Sequence, residues 1–181
     1  MSRLSSLKTS IIHRIWLLKG ALHYARKIGV DVEGPVYFYG LKPGAFGSEP
    51  WLVKLGKNVH IVSGTNFVTH DGGTLVLRHL DPDLELTDRI VVGDNVYFGM
   101  GALVLPGVTI GSNVVVGARS VVTKDVPDNS VVAGVPARII RTFDEYLDSA
   151  RKRSLGFGRL QGPEKDKALR AYFAKKYDDI K

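Results

Sequence analysis

Cysteine is absent from this 181-residue chain, which rules out disulfide staples, thiolate metal sites and a cysteine acyl-enzyme. A long hydrophobic run is also missing. The most apolar N-terminal stretch, Ile11 to Leu22, is broken by His13, Arg14 and Lys19 and is too short and too charged to span a bilayer. No cleavage-type signal pattern accompanies it, so a soluble cytoplasmic protein is expected. Acidic residues are lacking from residues 1–30, which hold six Lys or Arg, whereas residues 138–181 hold twelve against seven acids and residues 31–137 seven against eleven. A nucleic-acid binder carries its basic stripe on the main folded unit. Here that unit is acidic, so no nucleic-acid partner is expected. The basic ends could touch phosphate groups or an anionic membrane surface, but solvated helix faces are the preferred reading.

What the chain does have is a repeat of six. Leu86, Val92, Phe98, Val104, Ile110, Val116 and Val122 stand six apart, and a small or branched residue follows each by four: Ile90, Val96, Ala102, Val108, Val114, Ser120 and Val126. The same phase appears upstream at Leu55, Val59, Ile61, Thr65 and Phe67. Six is the period of neither a helix nor a long strand, but it suits short strands joined at corners by Gly, Asn and Asp. Stacked coils of this kind bury a column of side chains that no single coil could bury. These aliphatic markers are read as scaffold.

The ends differ. Residues 7–26 space Ile11, Ile15, Leu18, Leu22 and Ala25 as one amphipathic helix, with Ile12 and Trp16 widening the apolar face, and this helix is expected to cap the stack. Thr142 to Lys152 and Pro163 to Asp179 are also predicted helical, the second opening with Glu164 and Asp166 in its first turn. The expected organisation is a helical cap over 1–29, a coil domain over 30–141 with a loop insertion at about 71–89, and a helical extension over 142–181.

The stretches Ile90-Val-Val-Gly-Asp-Asn-Val-Tyr-Phe-Gly, Leu105-Pro-Gly-Val-Thr-Ile-Gly, Val121-Val-Thr-Lys-Asp-Val-Pro and Ala133-Gly-Val-Pro-Ala-Arg resemble the hexapeptide-repeat acetyltransferases. The likeness spans roughly residues 55–141 and is greatest to the galactoside, maltose and xenobiotic acetyltransferases and the bacterial polysaccharide O-acetyltransferases. It implies an all-β core built as a left-handed parallel β-helix, a homotrimer with active sites between subunits, and acetyl-CoA as donor, with no metal. Met100 and Ala118 match positions whose backbone approaches the pantetheine arm, and Gly99 or its neighbour is a candidate oxyanion donor. Thr123, Lys124, Arg138 and Arg141 match the nucleotide end, where phosphates call for cations. Many relatives carry Trp where this chain has Tyr97, so the wall of the acyl or acceptor pocket is expected to differ.

Acyl transfer from a thioester to an alcohol needs a base and donors for the developing oxyanion, and a neutral imidazole suits the first task. Of the five histidines, His13 and His23 lie on the predicted N-terminal helix and His60 within a hexad. His70 closes the first run of hexads where the insertion begins, and it matches the family's catalytic histidine. His79, inside the insertion, is the alternative base or an acceptor contact. Asp71, Asp81, Asp83 and Glu85 are candidates to orient the imidazole or meet the acceptor. A γ-type carbonic anhydrase, which uses the same fold, would need a His-x4-His pair, and none exists. Two alternatives stay open: an N-acetyltransferase of an amino sugar, although its usual extra N-terminal domain is lacking, and a non-catalytic assembly module. The motif Thr69-His70-Asp71-Gly72-Gly73-Thr74 resembles enzymes acting on capsule or lipopolysaccharide sugars, so a carbohydrate hydroxyl is the expected acceptor.

Overall fold

Branched and aromatic residues in short runs favour extended backbone, and the Gly, Asn and Asp between them permit a change of direction. The computed structural model, which describes residues 3–178, consists of that alternation flanked by helices. Helices α1 (Arg3–Leu18) and α2 (Ala21–Lys27) come first. The strands follow as β1 (Asp31–Val32), β2 (Val36–Tyr39), β3 (Val53–Leu55), β4 (Val59–Val62), β5 (Asn66–Phe67), β6 (Ile90–Val92), β7 (Val96–Phe98), β8 (Leu103–Val104), β9 (Thr109–Ile110), β10 (Val114–Val116), β11 (Val121–Val122), β12 (Ser130–Gly134) and β13 (Ala137–Thr142). Helices α3 (Phe143–Arg153) and α4 (Gly162–Asp178) end the chain. Asp179, the last residue of the predicted C-terminal helix, lies outside the described residues, as do residues 1, 2, 180 and 181 of the terminal segments.

From β3 to β11, successive strands enter three sheets in rotation. Their orders are β1-β3-β6-β9, β13-β12-β10-β7-β4-β2 and β11-β8-β5. Neighbours pair in parallel throughout, apart from the closing β12–β13 hairpin, which is antiparallel. Three-sided coils therefore stack on one another. At one corner, Asn58, Asn95, Asn113 and Asn129 all adopt φ near +55°, a left-handed conformation that Asn tolerates better than most residues. Each amide Nδ2 of the first three donates to the Oδ1 of the next, at 2.8–2.9 Å. The step from Asn95 to Asn113 is 18 residues, but that from Asn58 to Asn95 is 37, because the insertion lies between.

Both hexad columns line the interior. Val92, Phe98, Val104, Ile110, Val116 and Val122 are buried, as are Ile90, Val96, Ala102, Val108, Val114, Ser120 and Val126. Leu86 is the exception and corrects the sequence reading. It is 53% exposed, because it sits on the neck of the insertion, where its carbonyl accepts the Asp71 N–H (2.8 Å), and after the insertion its column resumes at Val92 instead. Toward β2 the filling changes from aliphatic to aromatic: Phe46 stacks on Phe67 (5.2 Å, 8°), and Phe67 meets Phe98 edge-on (5.3 Å).

The single N-terminal helix expected over 7–26 is two helices. Gly20, at φ +117°, breaks it between Leu18 and Ala21. Among the described residues, it is α2 that joins the core, through buried Ala25 and partly buried Leu22. Among the described side chains of α1, Ile11, Ile12, Ile15 and Leu18 are exposed, and His13, Trp16 and Leu17 are half-buried. His13 stacks on Trp16 and meets Tyr24 of α2 edge-on. The chain divides into two compact units at Asp144 and Glu145. The second holds most of α3 and all of α4, and a row of ring contacts links Phe157, in the segment between these helices, to Tyr172, Phe173 and Tyr177 of α4.

Candidate active site

Between β2 and β3 the chain leaves the coil as a loop, and that loop is pinned from three sides. Phe46 fills the aromatic end of the core, and the Ala45 carbonyl accepts the Phe67 N–H (2.8 Å). Gly47, at φ +65°, lies so close to the coil that an added Cβ would fall 2.8 Å from Thr69 Oγ1, so glycine is required there. Two residues on, Glu49 is delivered to β5's exit. Its Oε2 accepts from Thr69 Oγ1 (2.6 Å) and lies 2.9 Å from His70 Nδ1.

This three-residue network sets the charge state of the site. Thr69 first, and His70 next, hold the Glu49 carboxyl below its ordinary range. The Glu49 hydrogen bond and charge raise the His70 imidazole, with smaller pulls from Glu85 and Asp71. With Nδ1–H donated to Glu49, the lone pair of Nε2 is left for chemistry in the neutral ring. Opposite charge and hydrogen bonding both favour the charged forms, so the Glu49–His70 contact contributes to both shifts.

The insertion is closed at its neck. His70 bridges Thr87, and the Asp88 N–H donates to the Thr69 carbonyl (2.9 Å). Beyond the neck, Asp71 accepts the Gly73 N–H (2.8 Å) at the start of a 3₁₀ turn, Gly72–Val76. Arg78 pairs with Glu85 (2.6 Å) and donates to the Leu84 carbonyl, while Thr87 donates to Glu85 (2.6 Å). Together these groups frame an open cleft of about 240 Å³ lined by Glu49, His70, Asp71, Gly72, Thr74, Leu75, Arg78 and Glu85.

Of the residues singled out in the sequence, His70, Asp71 and Glu85 therefore share one cleft. His79 does not line it, and its Nδ1 lies 3.0 Å from the Val76 carbonyl. The carboxylate on the imidazole is Glu49, none of Asp71, Asp81, Asp83 or Glu85. Glu49, Thr69 and Arg78 were not among the sequence candidates. The one cue to Glu49 was the lapse of the hexad phase upstream of Val53. His60 caps the asparagine ladder: Nε2–H donates to Asn58 Oδ1 (3.0 Å), and Nδ1 accepts from Tyr39 Oη (3.0 Å).

A second group of candidates lies elsewhere on the coil. Register places Tyr37, His60, Tyr97, Val115, Val131 and Arg141 in one row across the six-stranded sheet. The β12–β13 ladder slips between Val131 and Val132, which face Arg141 and Ile139. Ile140 is thus an extra residue that re-phases the strand, and Arg138 and Arg141 come to lie on the same outer face as Tyr97. At the next corner, a Cβ on Gly99 would fall 2.5 Å from the Ala118 nitrogen. The Gly99 N–H already donates to the Val116 carbonyl (2.8 Å), which removes it as an oxyanion donor. Among the described residues, the Met100 and Ala118 N–H groups donate to no other backbone group. Thr123 follows β11 half-buried, and Lys124 beside it is exposed.

The family described as "Bacterial transferase hexapeptide (six repeats)" matches residues 89–124. Protein CapG of Staphylococcus aureus is 49% identical over 121 residues, which cover 67% of this chain and 70% of CapG. The chain belongs to the hexapeptide-repeat acetyltransferase family. As a member it is an acyltransferase. A putative acetyltransferase of Staphylococcus aureus (strain COL) is 38% identical over 120 residues, or 55% of this chain, and the match spans 59% of that relative's length. Among solved structures, a hexapeptide-repeat acetyltransferase of Vibrio cholerae is similar at 26% identity and TM-score 0.49, over 66% of this chain and 77% of that one. A maltose O-acetyltransferase of Clostridium difficile is similar at 26% identity and TM-score 0.46, over 66% of this chain and 72% of that one. Among the described residues of this family member, no helix is long and apolar enough to cross a membrane.

Proposed function

We propose that this chain transfers an acetyl group from acetyl-CoA to a sugar hydroxyl, with His70 as general base and Glu49 as its positioning partner. The observation that carries the reading is the Thr69–Glu49–His70 network at the mouth of the insertion. Glu49 holds Nδ1 and so aims Nε2 outward. His70 Nε2 takes the hydroxyl proton as the acceptor oxygen bonds to the thioester carbon. The C–S bond then breaks, and the imidazolium returns the proton to the departing thiolate. Glu49 stabilises that imidazolium while it exists.

The cleft holds three carboxylates against Arg78, which favours an uncharged carbohydrate over an anionic one. The donor would lie along the corner at Gly99 and Ala118, where glycine lets backbone approach and the Met100 and Ala118 N–H groups are candidates for the oxyanion or the pantetheine amides. Arg138 and Arg141, sharing a face, and Lys124 would meet its phosphates. This corner and the His70 cleft are lined by separate residues. That separation supports a left-handed parallel β-helix trimer in which one copy's cleft faces another copy's donor groove.

The test is thiol release from acetyl-CoA in the presence of neutral sugars. His70→Ala is expected to lower turnover by roughly a hundredfold or more with acetyl-CoA affinity largely kept, whereas Lys124→Ala with Arg141→Ala should weaken that affinity in calorimetry. Unchanged turnover in His70→Ala would remove the base assignment.

A further inference from the structure

Helix α1 is packed the wrong way round for a cap. At 100° per residue, Ile11, Ile12, Ile15 and Leu18 fall within an arc of about 120°, and all four face solvent, at 51%, 43%, 47% and 88% exposure. The side of the helix turned to α2 carries His13, Trp16 and Leu17 instead. The isoleucine face is therefore not the covering of this chain's own core.

Charge selects what covers it. Residues 1–30 carry six Lys or Arg and no acid. Arg14, Lys19, Arg26 and Lys27 are all exposed, and none of the ion pairs among the described residues engages them. Two copies meeting face to face through α1 would bring like charges together. An apolar arc with unpaired Arg14 at its margin and Lys19 just past its C-terminal end, on a helix about 24 Å long, is suited to lying in a lipid–water interface and too short and charged to cross a bilayer. Long basic side chains at the margin of such an arc keep their charges at headgroup level.

We propose that α1 docks this enzyme on an anionic phospholipid surface, its Ile11, Ile12, Ile15 and Leu18 face inserted and Arg14, Lys19, Arg26 and Lys27 on the headgroups. The inference stands independently of the acyl-transfer reading, because it uses no residue of the His70 cleft.

The test is co-sedimentation of the full-length protein with vesicles of phosphatidylcholine mixed with phosphatidylglycerol, and with vesicles of phosphatidylcholine alone. The expected result is binding to the anionic vesicles only, weakened by salt and cut about tenfold or more in Ile11→Ser/Ile15→Ser. Arg14→Gln/Lys19→Gln should weaken it separately, and thermal melting of both variants should match the parent, since the changed side chains are exposed. Failure of the parent to sediment, or undiminished sedimentation of Ile11→Ser/Ile15→Ser, would overturn the proposal. So would a fall in oligomeric mass of that variant, by light scattering, with vesicle binding intact, which would give the face to a second copy.

Discussion

The regular coils from Ile90 to Val126 and the two loops that interrupt the stack upstream, 40–49 and 71–86, obey different rules. In the coils, every inward position is fixed by its neighbours above and below, and Val, Ile, Phe or a small residue recurs because the space recurs. In the loops nothing recurs. Yet Glu49, His70, Asp71, Arg78 and Glu85 all lie in or beside the loops. Periodic packing fills the interior of the coils with apolar side chains, so the polar groups of the cleft collect where the period lapses.

That contrast can be broken from either side. Phe98→Ala, within the coils, should cost about 3–5 kcal/mol by leaving a cavity under Phe67, read as a lower midpoint in chemical denaturation with the cleft's pH behaviour unaltered while folded. Glu49→Gln, within a loop, should reverse the pattern: little change in the denaturation midpoint, but turnover down by about tenfold or more. It should also move the pH midpoint of turnover downward, since His70 is raised chiefly by Glu49 and must be neutral to act as base. A midpoint that stays put in Glu49→Gln would mean that another group governs the profile.

The sign for stability differs from the sign for activity. A raised His70 contributes stability fully below its ordinary value of 6.5 and loses it as pH rises through the raised value. A depressed Glu49 contributes above its ordinary 4.5 and loses it as pH falls through the lowered value. The pair is thus fully formed between those two ordinary values, and with His70 as the proposed base, turnover is expected to rise on the alkaline side as its ionic character is lost. The smallest effect expected is at the corners. Asn113→Ala removes two exposed hydrogen bonds of the amide ladder and leaves Ala in a left-handed position, and it should cost about 1–2 kcal/mol, read in the same denaturation experiment.

The N-terminal helices show where sequence periodicity misleads. The spacing of Ile11, Ile15, Leu18, Leu22 and Ala25 predicts one helix with one buried face, and the helical conformation is there. Gly20 breaks it, however, and among the described residues it is the part after the break that joins the core. An apolar stripe at helical spacing identifies a face without naming its partner.

The sequence alone determined the coil. A six-residue period, corners of Gly, Asn and Asp, and the position of His70 at a lapse in the repeat are local facts, and local sterics and burial translate them directly into strands, turns and an interior. Only the tertiary structure could decide that Glu49, 21 residues before His70 and outside any hexad, is the carboxylate on the imidazole. The same holds for one slipped residue in β13, which turns Arg138 and Arg141 to a common face, and for the apolar side of α1, which is turned outward. Each of these depends on where a loop, a bulge or a helix break sends the chain through space, and such long-range placement leaves no periodic mark in the order of residues.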